Sequence, residues 1–293
     1  MNSMPSSGPR RPGNVRRGLC CLGIGFASAA HAASFECLIE PWQVIEIRSP
    51  VEGLIDKITV HRGDTIRKGQ LLVELRSDAE RSGVDSARYR SEMEGRIASA
   101  NNRLDFATKK LGRAIELSDE KFVAPQAKDE AEAEKRLAES ELKDAIETRE
   151  LAKIEHRRAK DLLNLRMLHS PIDGLVVDRM LNVGDLAEAG SGRKAILKVA
   201  QIDPLRVEVL LPVQAFGKLR AGMPVSVTAE GFAGRHPATV KVVDRVFDAA
   251  SGTFGVRLEL PNPGGRLPAG LRCQAEFAQV QAPDGPAKKT RAP

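Results

Sequence analysis

"SPVEGLIDKITVHRGD" at residues 49–64 and "SPIDGLVVDRMLNVGD" at residues 170–185 are two copies of one pattern within a single chain of 293 residues. Six positions are identical at a constant offset of 121 residues, pairing Ser49 with Ser170, Pro50 with Pro171, Gly53 with Gly174, Leu54 with Leu175, Gly63 with Gly184 and Asp64 with Asp185. A repeat at one fixed offset indicates two copies of one structural unit. A long segment of different character separates them.

Each copy lies among short runs that are typical of β-strands. The first half contains VIEI, LIDKITV and LLVEL, and the second contains GLVVDRML and AILKVA, with Ser-Pro, Gly and Gly-Asp between the runs. Each half has only about 40 residues, too few to bury an apolar face alone, so the halves are predicted to pack on each other. The structural turns of the halves are predicted at Gly53, Gly63, Gly174 and Gly184, since glycine adopts positive φ without strain.

The segment between the halves, residues 77–165, has the sequence period of a coiled coil. Apolar and small residues recur every seven residues in its first part, at Ile97, Leu104 and Leu111 and at Met93, Ala100, Ala107 and Ala114. The second part carries an unbroken column of small side chains at the same spacing: Ala131, Ala138, Ala145, Ala152 and Ala159. Two helices that pack closely along these columns are therefore predicted.

The helices are predicted to meet within LSDEKFVAPQAKDEA, residues 117–131. Pro125 suits the first turn of the returning helix, and Asp129 and Glu130 follow close to the positive end of its dipole. The result is an antiparallel hairpin with arms of about 40 residues, or roughly 60 Å, which must project from any compact core.

Residues 201–281 return to strand-like runs, namely LRVEVLLP, PVSVTAE, ATVKVVDRV, FGVRLELP and RCQAEF. Several alternate apolar with polar residues, as half-buried antiparallel strands do. They predict a small antiparallel β-barrel of five or six strands, interrupted by a short helix at about residues 213–220.

The ends of the chain have the composition of a leader and a tail. Residues 1–32 combine Arg16 and Arg17, an apolar run and the small-x-small sequence Ala30-His31-Ala32, which predicts a cleaved signal peptide. The leader holds four arginines and no acidic residue, so 41 basic and 39 acidic residues follow it, a net charge of +2. No basic surface for nucleic acid is indicated. Residues 282–293 are predicted to be disordered.

The order of a strand half, a helical hairpin, a matching strand half and a barrel resembles the periplasmic adaptor, or membrane fusion protein, family (HlyD-like) of tripartite efflux systems. The motifs that carry the resemblance are SPVEGLIDKITVHRGDTIRKGQLLVEL, HSPIDGLVVDRMLNVGD and GTFGVRLELPNPGGRLPAGLRCQAEF. The implied fold is an elongated, multi-domain α+β protein. A lipoyl-like (barrel-sandwich hybrid) domain is split into residues 33–76 and 166–200, the antiparallel coiled-coil hairpin is inserted at 77–165, and the β-barrel follows.

The resemblance also implies contacts at the hairpin tip. In the family an arginine, a leucine four residues later and a serine seven residues after that meet an outer-membrane channel, and here these positions hold Arg113, Leu117 and Ala124. Alanine in place of serine removes a helix cap worth about 1 kcal/mol. Phe122 and Val123 offer apolar contact instead. These five residues are therefore the expected channel-contact site.

The implied protein is not an enzyme and uses no cofactor or metal. Its expected partners are an inner-membrane transporter, of the resistance-nodulation-division type first and ATP-driven second, an outer-membrane channel, and further copies of itself in a ring that the family makes hexameric. Its expected location is the periplasm, exported by the signal peptide and peripherally associated with the inner membrane. Its exported substrate is not predicted by the sequence.

Proteins of other classes share parts of this pattern. A lipoate or biotin carrier shares the strand domain but presents a modifiable lysine on a tight turn between its halves, where this chain has the hairpin; Lys57 lies within a strand-like run. An envelope spacer would need no barrel. The histidines His61, His156, His169 and His236 are scattered without metal-ligand spacing, so no catalytic or zinc site is indicated.

Cys37 and Cys273 are the two cysteines outside the leader. In an oxidising compartment they could form a disulfide that joins the first strand-like segment to the last barrel strand. The alternative is that both are small buried residues with free thiols. Both interpretations stay open at this point.

Overall fold

The computed structural model describes residues 33–190 and 193–278. The predicted signal peptide, residues 1–32, and the predicted tail, residues 282–293, lie outside the described residues. The strands are β1 (Ala33–Ile47), β2 (Gly53–Ile58), β3 (Thr65–Ile66), β4 (Leu71–Leu75), β5 (Met167–His169), β6 (Gly174–Arg179), β7 (Leu186–Ala187), β8 (Leu197–Pro212), β9 (Pro224–Ala229), β10 (His236–Asp248), β11 (Thr253–Leu260) and β12 (Leu271–Phe277). The helices are α1 (Asp78–Glu92), α2 (Gly95–Asp119) and α3 (Pro125–Asn164).

The two halves of the repeat form one lipoyl-like domain with a shared core. Strand β2 of the first half pairs with β7 of the second, and β6 of the second half pairs with β3 of the first. The buried side chains come from both halves, and they are Ile47, Ile55, Val60, Ile66, Leu72, Val73, Leu75, Leu168, Ile172, Val176, Leu181, Ala187, Ile196, Leu197 and Val199. The prediction that the halves pack on each other is confirmed.

Matching turns of the two halves make matching hydrogen bonds. Gly63 and Gly184 have φ angles of 92° and 90°, which glycine adopts without steric cost. The N–H of Gly63 donates to the carbonyl of Val176 at 2.9 Å, and the N–H of Gly184 donates to the carbonyl of Ile55, also at 2.9 Å. Each half thus binds the other through the same turn.

The aspartate after each glycine closes the turn. The Asp64 carboxylate accepts the N–H of His61 at 2.7 Å, and the Asp185 carboxylate accepts the N–H of Asn182 at 2.8 Å. These bonds explain why Gly-Asp appears in both copies.

Gly53 and Gly174 are not turn residues, which corrects the sequence prediction. They begin strands β2 and β6, and neither has a positive φ. Each lies where a neighbour comes too close for a side chain. Crowding, and not turn geometry, accounts for glycine at these two positions.

The barrel is closed by six strands in the order β1, β12, β9, β10, β11, β8, with β8 pairing back to β1. Its largest fully buried side chains include Phe254 and Phe277. The helix predicted at residues 213–220 is shorter than expected, a three-residue 3₁₀ turn at Val213–Ala215. Phe216 already has an extended ψ of 138°, so the helical conformation ends before Gly217, which takes a φ of 85°.

Strands β1 and β8 run through both β-domains as one antiparallel ribbon. The first part of β1, Ala33–Ile39, pairs with β12 in the barrel, and its Cys37 and Ile39 side chains lie in the barrel core. The predicted lipoyl-like half at 33–76 therefore begins too early, because an alternating strand continues across the boundary. The pairing of β1 with β8 extends from Cys37 to Ile47, with a register shift between Pro41 and Gln43.

The hairpin projects from the lipoyl-like domain with α3 as its continuous arm. At 40 residues, α3 is about 60 Å long. The first arm was predicted as one helix, but it is broken between α1 and α2, where Met93 takes an extended ψ of 120°. Glycine at position 95 weakens the helix at this point by up to about 1 kcal/mol relative to alanine.

Alanines form the buried seam of the hairpin. The predicted column is buried at Ala131, Ala138 and Ala145 and only partly buried at Ala152 and Ala159. On the other arm Ala87, Ala100 and Ala107 are buried. Exposed ion pairs cross the seam, among them Arg103 with Glu141 at 2.9 Å and Lys110 with Glu134 at 2.6 Å. Exposed pairs of this kind contribute about 0–1 kcal/mol each, so close alanine packing is the main attraction.

Among the described residues, no helix is both long and apolar enough to cross a membrane.

Candidate functional site at the hairpin tip

The chain leaves α2 through a Schellman motif. The N–H of Phe122 donates to the carbonyl of Leu117 at 2.9 Å, and the N–H of Lys121 donates to the carbonyl of Ser118 at 3.0 Å. Lys121 occupies the left-handed position of this motif with a φ of 63°, and it is the only non-glycine residue with positive φ in the described part of the chain. Glycine is usual here because a Cβ adds strain. The tip is therefore well defined but locally strained.

The motif brings two apolar side chains to the end of the rod. The residues that bear them, Leu117 and Phe122, are the pair that usually packs together in a Schellman motif. Leu117 is 43% exposed, Phe122 is 74% exposed, and Val123 beside them is partly buried. We call Leu117, Phe122 and Val123 the apolar tip. Its exposure costs hydrophobic free energy that a partner surface would recover.

The returning helix starts without a side-chain cap. Ala124 is the N-cap residue of α3 and makes no capping hydrogen bond, while Pro125 occupies the first turn as predicted. The first turn of α3 contains no acidic residue, so Asp129 and Glu130 lie too far along to complement the dipole. Pro125 has no N–H, and the N–H of Ala127 donates to the carbonyl of Ala124 at 3.0 Å, so the N–H of Gln126 is the group left to water or to a partner.

Arg113 lies one helical turn before Leu117 and is exposed. It forms no ion pair with any residue in the described ranges, although many other hairpin cations do. The structure therefore brings Leu117, Phe122, Val123 and Ala124 together at the tip and leaves the Arg113 charge free just below them.

Other residues considered from the sequence do not converge on a site. Lys57 lies within β2, away from any turn. Within residues 33–190 and 193–278, no group of three or more His, Cys, Asp or Glu residues is placed to hold a metal ion. A hydrogen bond from Lys153 and its charge lower the pKa of Glu150, which is a fully exposed carboxylate on the outside of the rod.

Cys37 and Cys273 form a disulfide. They face each other in the register of β1 and β12, with their α-carbons 4.8 Å apart, inside the usual range for a disulfide. The bridge is buried in the barrel and joins residues 236 positions apart in sequence. The interpretation as two free thiols is therefore excluded.

Sequence reasoning missed Arg166 at the base of the hairpin. Its guanidinium donates to the carbonyl of Glu52 at 2.8 Å and pairs with Glu80 of α1 at 2.5 Å. The Arg166 and Glu80 side chains are only 22% and 23% exposed. The arginine thus ties the hairpin to the first half of the repeat. No local pattern marks it, because its partners lie 114 and 86 positions earlier in the chain.

Comparison with family models gives two matches that together span nearly all of the described chain. Residues 43–201 match the model of the CzcB-like barrel-sandwich hybrid domain. Residues 205–281 match the CusB-like β-barrel domain.

Curated relatives are similar over most of this chain. It is 24% identical over 263 residues to the efflux pump periplasmic linker BepD of Brucella suis, covering 84% of this chain and 62% of the relative. It is 26% identical over 244 residues to the multidrug resistance protein MdtE of Escherichia coli, covering 79% of this chain and 60% of that protein. The chain thus spans about three fifths of the length of these relatives.

Solved structures share the fold. MacA from Actinobacillus actinomycetemcomitans aligns over 85% of this chain and 79% of its own, with a TM-score of 0.70 and 22% identity. The membrane fusion protein Spr0693 from Streptococcus pneumoniae aligns over 84% of this chain and 98% of its own, with a TM-score of 0.59 and 17% identity.

Proposed function

Because the chain belongs to the membrane fusion protein family, we propose that it is a periplasmic adaptor that links an inner-membrane exporter to an outer-membrane channel for efflux. The observation that carries this proposal is the apolar tip. Leu117 and Phe122 are exposed at the end of a rod of about 60 Å, remote from both buried cores. A rod that ends in uncovered apolar side chains is suited to reach and bind a separate protein.

The channel contact is proposed for Arg113, Leu117, Phe122, Val123 and Ala124. The apolar tip supplies the buried contact, Arg113 supplies a charge for the rim, and the N–H of Gln126 at the uncapped start of α3 supplies a donor. Such a combination of an apolar centre with polar groups around it is common in protein interfaces.

The inner-membrane partner is proposed to be a transporter of the resistance-nodulation-division type. The support is the designation of the matching barrel model, which is CusB-like and carries the name of that class.

Self-association into a ring, hexameric by resemblance, is also part of the proposal. Phe106 and Leu137 are exposed large apolar side chains that line one groove between α2 and α3. An apolar flank along the rod favours contact with a second rod.

The channel contact is tested by site-specific photo-crosslinking in cells, with the photoreactive residue at position 122 or at position 146. Ile146 is 44% exposed on α3, matching the 43% of Leu117, but it lies six turns along the rod from the tip. We expect position 122 to capture an outer-membrane protein and position 146 not to capture it. Capture of only inner-membrane proteins at position 122 contradicts the proposal.

Mutation gives a second test, which compares Leu117 at the tip with Ile146 along the rod. Leu117→Asp should abolish export while leaving the melting temperature unchanged, because Leu117 lies outside both cores. Ile146→Asp should export normally. Normal export by Leu117→Asp would show that the tip has been assigned wrongly.

A further inference from the structure

The first arm of the hairpin is interrupted between α1 and α2. Met93 takes an extended ψ of 120°, and its N–H reaches only the carbonyl of Arg90, at 3.4 Å. The helical ladder resumes with the N–H of Ala98, which donates to the carbonyl of Glu94 at 2.9 Å. Glu94 is the N-cap residue of α2 and makes no side-chain capping bond. We call Met93 and Glu94 the joint.

The buried stripes of α1 and α2 are out of phase across the joint. When the α2 columns are projected back in steps of seven, they reach Ser86 and Arg90, but both of these residues are exposed. The buried residues of α1 are instead Ala87 and Ser91, each one position later. One residue corresponds to about 100° around an α-helix. A continuous helix would therefore turn one of the two stripes away from α3, and the joint is where the chain corrects the phase.

No buried side chain of the first arm holds the joint in place. Residues 92–96 are all exposed. Two ion pairs connect this region to α3, namely Arg149 with Glu94 at 3.2 Å and Arg90 with Glu155 at 3.9 Å. Ion pairs as exposed as these break and re-form at little cost. The first arm is therefore able to change direction at the joint without losing a buried contact.

The facing part of α3 is a polar stretch of the seam. Arg149 and His156 occupy the column that holds Leu142 toward the tip and Leu163 toward the base. The Nε atom of Arg149 and the Nε2 atom of His156 are buried, and neither has a hydrogen-bond partner among the residues that the structure describes. Buried polar atoms without partners weaken the packing at this level. The seam is thus weakest beside the joint.

We propose that the joint lets the hairpin bend, as two stiff segments connected by the continuous helix α3, and so lets the apolar tip change direction relative to the lipoyl-like domain. The segment beyond the joint contains α2, whose 25 residues are about 38 Å long. A bend of about 30° therefore moves the tip by about 20 Å. This inference does not depend on the proposed function, because bending is a property of the purified chain.

Two pairs of spin labels measure the bending in the purified chain with its disulfide intact. One pair is attached at Ser82→Cys and Lys109→Cys, which lie on either side of the joint. The control pair is attached at Ala133→Cys and Lys160→Cys, both within α3. The two pairs have the same separation in sequence, about 40 Å of helix. All four positions are exposed, so the labels do not enter the seam.

Bending should change the two label distances by different amounts. Packed helices lie about 9 Å apart, so a bend of about 30° around α3 changes the distance between positions 82 and 109 by about 5 Å. The same bend changes the distance between positions 133 and 160 by less than about 2 Å. We expect double electron–electron resonance to give the broader distribution for the pair that spans the joint. Equally narrow distributions for both pairs overturn the proposal.

Insertion of one alanine between Met93 and Glu94, together with Gly95→Ala, tests the cause of the bending. The insertion brings the two buried stripes into phase, and a Cβ at position 95 meets open space. We expect α1 and α2 to join into one helix, so that the distribution between Ser82 and Lys109 narrows to the width of the control pair. A distribution that stays broad in this variant would mean that the joint is not the source of the bending.

The matched control is the same alanine inserted between Asn102 and Arg103, inside α2. There the insertion puts a regular stripe out of phase, and we expect it to lower the melting temperature of the hairpin. An unchanged melting temperature would contradict the proposal, because the buried stripes would then not determine the phase of this arm. The comparison of the two label pairs uses the original helices and stands even where an insertion variant fails to fold.

Discussion

The two copies of the repeat differ in what surrounds one shared glycine, which begins β2 in the first copy and β6 in the second. A Cβ on Gly53 would lie 2.5 Å from the guanidinium of Arg166, at the base of the hairpin. A Cβ on Gly174 would overlap the backbone carbonyl of Ala200 in β8, the strand that continues into the barrel. The same sequence position thus meets a side chain in one copy and backbone in the other.

The difference shows that an identical residue can be required for two different reasons. At Gly53 the neighbour is the far end of a flexible side chain, which can move aside. At Gly174 the neighbour is backbone within a sheet, which cannot move without breaking the pairing of Leu175 with Ala200. The contact at Gly174 is therefore expected to be rigid, and the contact at Gly53 adjustable.

Gly174→Ala should have the largest effect. We expect the free energy of unfolding to fall by more than about 3 kcal/mol, because β6 and β8 must separate to admit the methyl group. Urea denaturation measures this. Gly83→Ala in α1 is the control, since a Cβ there meets open space, and it should stabilise by up to about 1 kcal/mol. Equal stability of Gly174→Ala and the original chain would remove the distinction between the two copies.

Removing the disulfide should have the next largest effect, confined to the barrel side. The free energy of unfolding should fall by about 2–4 kcal/mol in a Cys37→Ser, Cys273→Ser double variant, because the bridge closes a long loop in the unfolded chain. The hairpin contributes no residue to the barrel core, so its helicity at low temperature should not change. Calorimetry and circular dichroism test the two expectations separately. A loss of helicity in parallel with the barrel transition would mean that the hairpin and the barrel unfold as one unit.

Gly53→Ala should lower the free energy of unfolding by a smaller amount, about 1–2 kcal/mol. Arg166 can move aside, but it then loses its hydrogen bond to Glu52 and its ion pair with Glu80. The effects of the two substitutions should therefore be coupled. In an Arg166→Ala background, Gly53→Ala should lower the free energy of unfolding much less. A double-mutant cycle in urea gives this coupling energy. Additive effects would show that Arg166 is not what excludes a side chain at position 53.

Lys121→Gly should have the smallest effect and the opposite sign. Relief of the left-handed strain should stabilise the tip by about 0.5–1 kcal/mol. Lys110→Gly, inside α2, should instead destabilise by about 1 kcal/mol. Helicity melts of the two variants should shift in opposite directions. Because the tip is remote from both copies of the repeat, neither variant should alter the melting of the β-domains.

The sequence predicted the repeat, the hairpin and the barrel because each has a local signal. Gly63 and Gly184 mark turns that require positive φ, and the alanine column from Ala131 marks close helix packing. The sequence did not predict that β1 begins in the barrel and continues into the lipoyl-like domain. The alternation of apolar and polar residues along a strand does not show which other strands it pairs with. Its barrel partner, around Cys273, lies more than 200 residues away.

Parts of the hairpin could not be predicted for related reasons. The heptad columns begin at Met93 and are not continued in α1, where Ser86 and Arg90 occupy the positions seven residues earlier, so the pattern carried no signal for a break at this point. The helix end at the tip lacks the usual glycine, because Lys121 takes that position. Gly53 was predicted as a turn residue, which was wrong; the cause of glycine there, the guanidinium of Arg166, depends on tertiary structure and on no neighbour in sequence.

The ribbon of β1 and β8 also determines how the molecule responds to mechanical load. A pull that separates the barrel from the lipoyl-like domain stretches two covalent backbones, and no hydrogen bond needs to break for the load to be carried. Bending meets less resistance, and it should concentrate where the register shifts between Pro41 and Gln43. We therefore expect the two β-domains to resist being pulled apart along the ribbon and to bend relative to each other at this one point.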